Sequence, residues 1–364
     1  MAHRSNKSNP SLHRHALIVL AAMLLVAVSC GSDQSTEQRD TAERETRETG
    51  QAYTPPAELP RPPEPADAPS LEEDPAGTVM ELNRGPEGLV ADSETGLVAV
   101  GLRNPDQLAL IDSSSGEVAR KVDLPESPRH LGLAAPGGPV LVPVERTNEL
   151  VQVSLPDGEI LNTTPVGKFP HHAAATPNRR IFVLDEQAST ISVIENGEVI
   201  GTLETLSYPG GVAVTPDGRV GVVGVRGLGL EVFDPESLKS LGRIDAGEGP
   251  THLAAGPDGR FYVADTRGDA ILVYEAKPEL KQVARLPLDG GSPYGIAMDP
   301  ERGHLWATLT AENTVVQYDI SSDKPEELDR YPTVRQPNTV AVEPESGQVF
   351  IGGRVKNQLQ ILEP

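Results

Sequence analysis

Short apolar runs, five or six residues long and rich in valine, leucine and isoleucine, alternate with tight polar turns along most of this chain. Between positions 251 and 288 four such runs follow one another, at 251–255, 260–265, 270–275 and 282–288, with Pro257-Asp258-Gly259 in the first gap and Asp269 closing the second. Runs of this length, bounded by Pro, Asp and Gly, read as β-strands. Ile271-Leu272-Val273-Tyr274 and Val315-Val316-Gln317-Tyr318 have the near-continuous apolar character of strands covered on both faces. The same phrase returns along the chain. Each copy opens on a proline, namely Pro86, Pro128, Pro170, Pro209, Pro250, Pro293 and Pro337, at intervals of 42, 42, 39, 41, 43 and 44 residues. Turn residues recur in step, as in Ser115-Gly116, Pro156-Asp157-Gly158 and Pro216-Asp217-Gly218. A period near forty with four strands per unit predicts an all-β fold, a seven-bladed β-propeller.

The ends of the pattern explain each other. The last repeat stops after its third strand, at 358–362, while an orphan run, Thr78-Val79-Met80-Glu81-Leu82, precedes the first repeat. Pairing the orphan with the last blade would supply its missing strand and remove two exposed edges. At the level of single strands, Tyr262-Val263-Ala264-Asp265 and Phe182-Val183-Leu184-Asp185 resemble the Tyr-Val-Thr-Asn unit of the YVTN-type seven-bladed propellers, and the resemblance extends over 78–364. It implies the blade and leaves the activity open, because propellers carry many functions. Trp306 is the sole tryptophan and no Trp-Asp pair occurs, which argues against the WD40 family.

Ahead of the repeats the chain changes character. Arg4, Lys7 and Arg14 precede an apolar stretch at 16–28 that is too short to span a bilayer as a helix. Ala27-Val28-Ser29-Cys30 follows, and it resembles the bacterial lipoprotein signal, in which a cysteine is lipidated and becomes the mature N-terminus. Ala27 stands where leucine is usual. Cys30 is the only cysteine in 364 residues, so a disulfide framework or a cysteine-based metal site is excluded. The expected organisation is a signal peptide at 1–29, a lipidated Cys30 and disordered Pro/Glu-rich tether at 30–75, and the propeller at 76–364. The expected location is the outer side of a bacterial cell membrane, held by the lipid. A net charge of −22 disfavours nucleic acid as a partner.

Candidate chemistry gathers where the inner strands begin. The second residue after each repeat proline is Gly88, His130, His172, Gly211, His252, Gly295 and Thr339. His130, His172 and His252 thus share one ring position, with His171 beside it. Three imidazoles around an open position would suit a divalent transition metal, provided the channel is narrow enough for them to converge. The loop before each third strand supplies a second ring, Arg103, Arg146, Arg226, Arg267 and Arg354, with Gln187 and Ala311 in the other two repeats and Arg129 nearby. Guanidinium groups collected at one mouth suit carboxylate or phosphate. Ion pairs with Asp106, Glu145, Asp185, Glu186, Asp265 or Glu312 are the structural alternative.

Other chemistries lack their motifs. Gly224 to Gly229 reads GVRGLG, without the lysine or the strand-to-helix context of a phosphate loop, and no G-x-S-x-G elbow occurs. The leading expectation is a lipid-anchored binding platform with a small anionic ligand or a protein partner at the channel mouth. The alternative is a metal-dependent lyase or hydrolase using His130, His172 and His252, a histidine arrangement similar in kind to that of propeller lyases.

Overall fold

The computed structural model describes residues 53–82, 85–322 and 324–364. Cys30 and the expected signal peptide lie outside the described residues, as does the tether up to position 52. The described chain is all-β, with 28 strands in seven four-stranded antiparallel sheets. Six sheets are built from consecutive strands. The seventh has the order Thr78–Glu81, Gln358–Leu362, Val349–Gly353, Pro337–Val342, so the orphan strand completes the last blade. Its register is regular, with Thr78 opposite Ile361 and Glu81 opposite Gln358.

The sequence alternation becomes blade-to-blade packing. In the second strand of blade 1, Leu97 and Ala99 enter the cluster shared with blade 2, while Val98, Val100 and Leu102 enter the one shared with blade 7. Side chains on a strand point alternately to opposite faces, and here both faces meet another sheet. The hydrophobic residues accordingly form seven clusters, one between each pair of neighbouring blades. Second and third strands are buried along nearly their whole length, whereas the fourth strand of blade 1, Val118–Asp123, is exposed at five of its six positions.

A β-bulge follows nearly every repeat proline. Pairing of the inner with the second strand shifts register between Pro86 and Gly88, Pro170 and His172, Pro209 and Gly211, Pro250 and Leu253, Pro293 and Ile296, and Pro337 and Thr339. In blade 2, Pro128 makes a lone bridge to Val144 and regular pairing resumes only at Gly132. A bulge re-aims side chains locally, and here it acts at the mouth of the channel.

Residues 53–75, expected to hang free, instead lie along the propeller. The Tyr53 hydroxyl donates to the Gly227 carbonyl at 3.0 Å, and its ring covers Gly229, where an added Cβ would come within 2.7 Å of it. Gly227 and Gly229 of the GVRGLG run thus make the seat for Tyr53. Farther on, Ala66 N–H donates to Thr310 Oγ1 and Asn313 donates to the Pro69 carbonyl, with Pro63 and Ala68 buried. Eight prolines occur in this stretch. Their fixed φ lowers the entropy cost of ordering, and their missing N–H leaves carbonyls as the polar groups to be matched.

Truncating the chain through position 84 should open the edge of Gln358–Leu362 and uncover the packing made by Val79, Met80 and Leu82. A fall in melting temperature of at least about 5 °C is expected, with concentration-dependent light scattering. Unchanged melting would mean that the ring closes without this strand.

Candidate functional site

The bulges bring two consecutive residues of each inner strand to the channel mouth. One tier is the expected ring of His130, His172 and His252. The residue just after each proline adds a second tier, which includes Glu87, Arg129, His171, Tyr294 and Asn338. In regular strand alternation, neighbours of channel-facing residues point away, so the bulge is what brings Glu87 and Asn338 beside Arg129 and His171, which the sequence already places near the mouth. The glycines of the ring serve close approach of the inner strands: a Cβ on Gly88 would lie 2.5 Å from the Arg129 carbonyl oxygen.

The histidines do converge, yet on one another. Ring centroids of His130 lie 4.5 Å from His252, 4.9 Å from His171 and 5.7 Å from His172. His252 Nδ1 donates to the Tyr294 carbonyl at 3.1 Å, which leaves Nε2 to accept from His130 Nε2 at 3.1 Å. His172 Nδ1 accepts from Val212 N–H at 3.3 Å, and the Leu131 backbone bonds the same ring. His171 donates through Nδ1 to the Gly210 carbonyl at 2.8 Å and accepts from Arg129 Nη2 at 2.6 Å. Backbone groups therefore occupy both nitrogens of His172 and Nδ1 of His252, while His130 and His252 spend their Nε2 atoms on each other. Among the described residues no three His, Cys, Asp or Glu groups are placed to hold a metal ion. The donor set does not fit the expected metal centre, since His172 offers it no free lone pair.

Burial keeps all these rings neutral. It lowers His130 and His171 well below the ordinary value, His172 to about 3 and His252 to about 4, and neighbouring histidines or Arg129 push the same way. Glu186, whose Oε1 is 3.9 Å from His171 Nε2, is driven up to about 7 by burial, which Arg129 opposes only in part.

The arginines separate into three groups. Arg103 and Arg129 share Glu87 and Glu145, with Arg129 Nε 2.7 Å from Glu145 and Arg103 Nη2 3.3 Å from it. Burial would lower Arg129, but the Glu145 and Glu87 carboxylates hold it above its ordinary value. Arg226 and Arg267 are taken by the proline-rich segment: Arg226 donates to the carbonyls of Pro60 and Leu59, at 2.6 and 3.1 Å, and Arg267 to those of Arg61 and Pro62, at 2.7 and 3.1 Å. Arg226 also lies over the Tyr208 ring at 4.6 Å. Arg335, outside the expected set, donates to the Ala68 carbonyl through two nitrogens. Of the expected set, Arg146 and Arg354 are exposed and make no ion pair or side-chain hydrogen bond among the described residues. The mouth is thus not a uniform positive ring, because Glu87 on the second tier and Glu145, an ion-pair partner foreseen in the sequence, neutralise its centre.

These features sit on a familiar frame. No protein-family model and no curated protein matches the chain. Among solved structures, Kuenenia stuttgartiensis hydrazine synthase matches with a TM-score of 0.67 and 18% identity, over 78% of this chain and 97% of that one. Virginiamycin B lyase from Staphylococcus aureus gives 0.63 and 17%, over 78% and 99%. The Myceliophteria thermophila Cps50 (Swd1) β-propeller domain gives 0.67 and 11%, over 79% and 98%. The likeness is one of fold. A scaffold shared by proteins with such different names carries no activity of its own.

Acid should weaken this propeller through its histidines. Once unfolded, the rings bind protons below about pH 6.5, whereas His252 and His172 in the folded state wait until about 4 and 3. Stability is therefore lost as pH falls from 6.5, by up to about 2 kcal/mol for each of these two rings at pH 5. Glu186 acts oppositely, losing its contribution as pH rises from 4.5 to about 7. Urea unfolding should show a clear net loss at pH 5 against pH 7, and equal stabilities would show that the rings are charged in the folded state.

The arginine groups can be told apart by substitution. Arg129→Ala takes from Glu145, which is 6% exposed, the nearer of its two guanidinium partners and should cost about 3 kcal/mol. Arg146→Ala should stay within about 0.5 kcal/mol of the parent. Denaturant midpoints at one pH check both, and equal effects would contradict the ion-pair assignment.

Proposed function

We propose that this chain is an extracytoplasmic lipoprotein, held to a membrane by lipid on Cys30, whose propeller is a binding platform for an anionic ligand on one sector of the channel mouth. The observation that carries this reading is the one-sided cover of the mouth. The proline-rich segment engages Arg226, Arg267 and Arg335, on and next to blades 4 to 6, and leaves Arg354 and Arg146 on blades 7 and 2 exposed. Between them, Arg103 and Arg354 line a recess of about 330 Å³ with Glu87, Asn104 and Asn357. Arg forks with free N–H groups match a carboxylate or phosphate in geometry as well as in charge.

Membrane attachment rests on Cys30 and the apolar run before it, and two acyl chains would make the attachment stable. The platform reading also fits the rigidity of the site. Glu87, Arg129 and His171 of the second tier are tied into ion pairs and hydrogen bonds, which suits recognition by a fixed surface. Residues 31–52 reach at most about 75 Å when fully extended, enough for a platform to meet partners beyond the membrane surface.

Two measurements test the reading. In cells, Cys30→Ser should move the protein from the membrane to the soluble fraction with the propeller folded, and retention on membranes would overturn the anchor. In solution, Arg146→Ala with Arg354→Ala should weaken inorganic phosphate binding about tenfold and flatten its salt dependence. Unchanged phosphate affinity would overturn the anionic site.

A further inference from the structure

The channel holds a cavity of about 220 Å³ that reaches up to the histidine tier. Its walls run down the inner strands from Gly295 and Thr339 to Ala91 and Val342, and no charged side chain lines it. Leu89, Leu131, Leu253, Ile296 and Val340 supply an apolar body. The upper end is polar, with His130, His172, His252, Asn338 and Thr339.

Asn338 is the informative residue. It occupies the bulge after Pro337, is 8% exposed, and its Oδ1 is buried with no hydrogen-bond partner. Buried polar atoms are nearly always paired, so an orphan on a residue that lines a cavity marks a place where a donor belongs. His130 adds a second acceptor. Its Nε2 is committed as donor to His252, so its Nδ1 carries a lone pair, and no protein group among the described residues bonds it.

We propose that the central channel is a second ligand site, distinct from the recess of Arg103 and Arg354, for a small uncharged molecule with an apolar body and a hydrogen-bond donor at one end. The donor would meet Asn338 Oδ1 and His130 Nδ1, while the body lies against Leu89, Leu253 and Ile296. Charge is selected against, because no wall residue pairs with it and burying an unpaired ion is costly. Size follows from volume: an apolar cavity of about 150 Å³ takes benzene, so about 220 Å³ takes roughly nine non-hydrogen atoms.

Benzamide has this size, two N–H donors and no charge, and it serves as the probe. Titrated into the full propeller and followed by ligand-observed NMR, it should bind at least about tenfold more tightly than toluene, which lacks the donor, or benzoate, which is charged. Phosphate should not displace it. Asn338→Leu should reverse the order of benzamide and toluene, with a circular dichroism spectrum like the parent's. Should that variant misfold, the three-probe order on the parent protein still decides. Equal binding of benzamide and toluene, tighter benzoate, displacement by phosphate, or no benzamide binding at millimolar concentration would each overturn the site.

Discussion

Each blade of this protein buries both of its faces against neighbours, so no blade has a hydrophobic core of its own. The seven apolar clusters lie between sheets, and each is complete only when both adjoining blades are present. The ring must therefore close, and the strand Thr78–Glu81 closes it by joining the first residues of the repeat region to the last. The remainder of the architecture depends on that closure. It fixes the inner strands around the channel, and their approach sets the position of every side chain at the mouth.

Within that frame the bulge after each repeat proline decides what the mouth looks like. It presents two residues per blade, which is how Arg129 and His171 reach the tier of His130 and His252. The resulting cluster is dense, buried and almost fully hydrogen-bonded. Its histidines are neutral because protonation would place charge away from water and, for His130, His171 and His252, near Arg129 as well. Glu186 is the exception in the other direction, a carboxyl whose burial leaves it near its titration point at neutral pH. Such a cluster holds geometry well and offers little freedom to a catalytic metal.

The proline-rich segment and the arginines are matched by elementary chemistry. Prolines present carbonyl oxygens without N–H donors, and guanidinium groups present N–H donors without acceptors. Arg226, Arg267 and Arg335 meet the carbonyls of Pro60, Arg61 and Ala68 along the rim. A segment whose composition favours disorder in isolation is thereby laid down on a folded surface, because its conformational freedom was small at the outset. The cover is partial, and its partial extent gives the mouth a closed side and an open one.

Blade number, strand positions and ring closure were legible in the sequence, since period and alternation express local geometry and the burial of two faces. The turn residues and the missing fourth strand of the last repeat carried that information without reference to any contact. His130, His172 and His252 were correctly read as neighbours, because equivalent positions in a repeat become equivalent positions around an axis. Their hydrogen bonds were not legible: the partners of His172 and His252 are backbone groups of other blades, brought near only by closure. Arg129 and His171 were read as lying near the mouth, but Glu87 and Asn338 of the same tier were hidden for a related reason, since strand alternation turns those residues away and a bulge turns them back. The fate of the arginines was decided last. Whether a guanidinium meets a carboxylate, a proline carbonyl or water depends on segments up to 267 residues apart in the chain, and only the tertiary structure sets that distance.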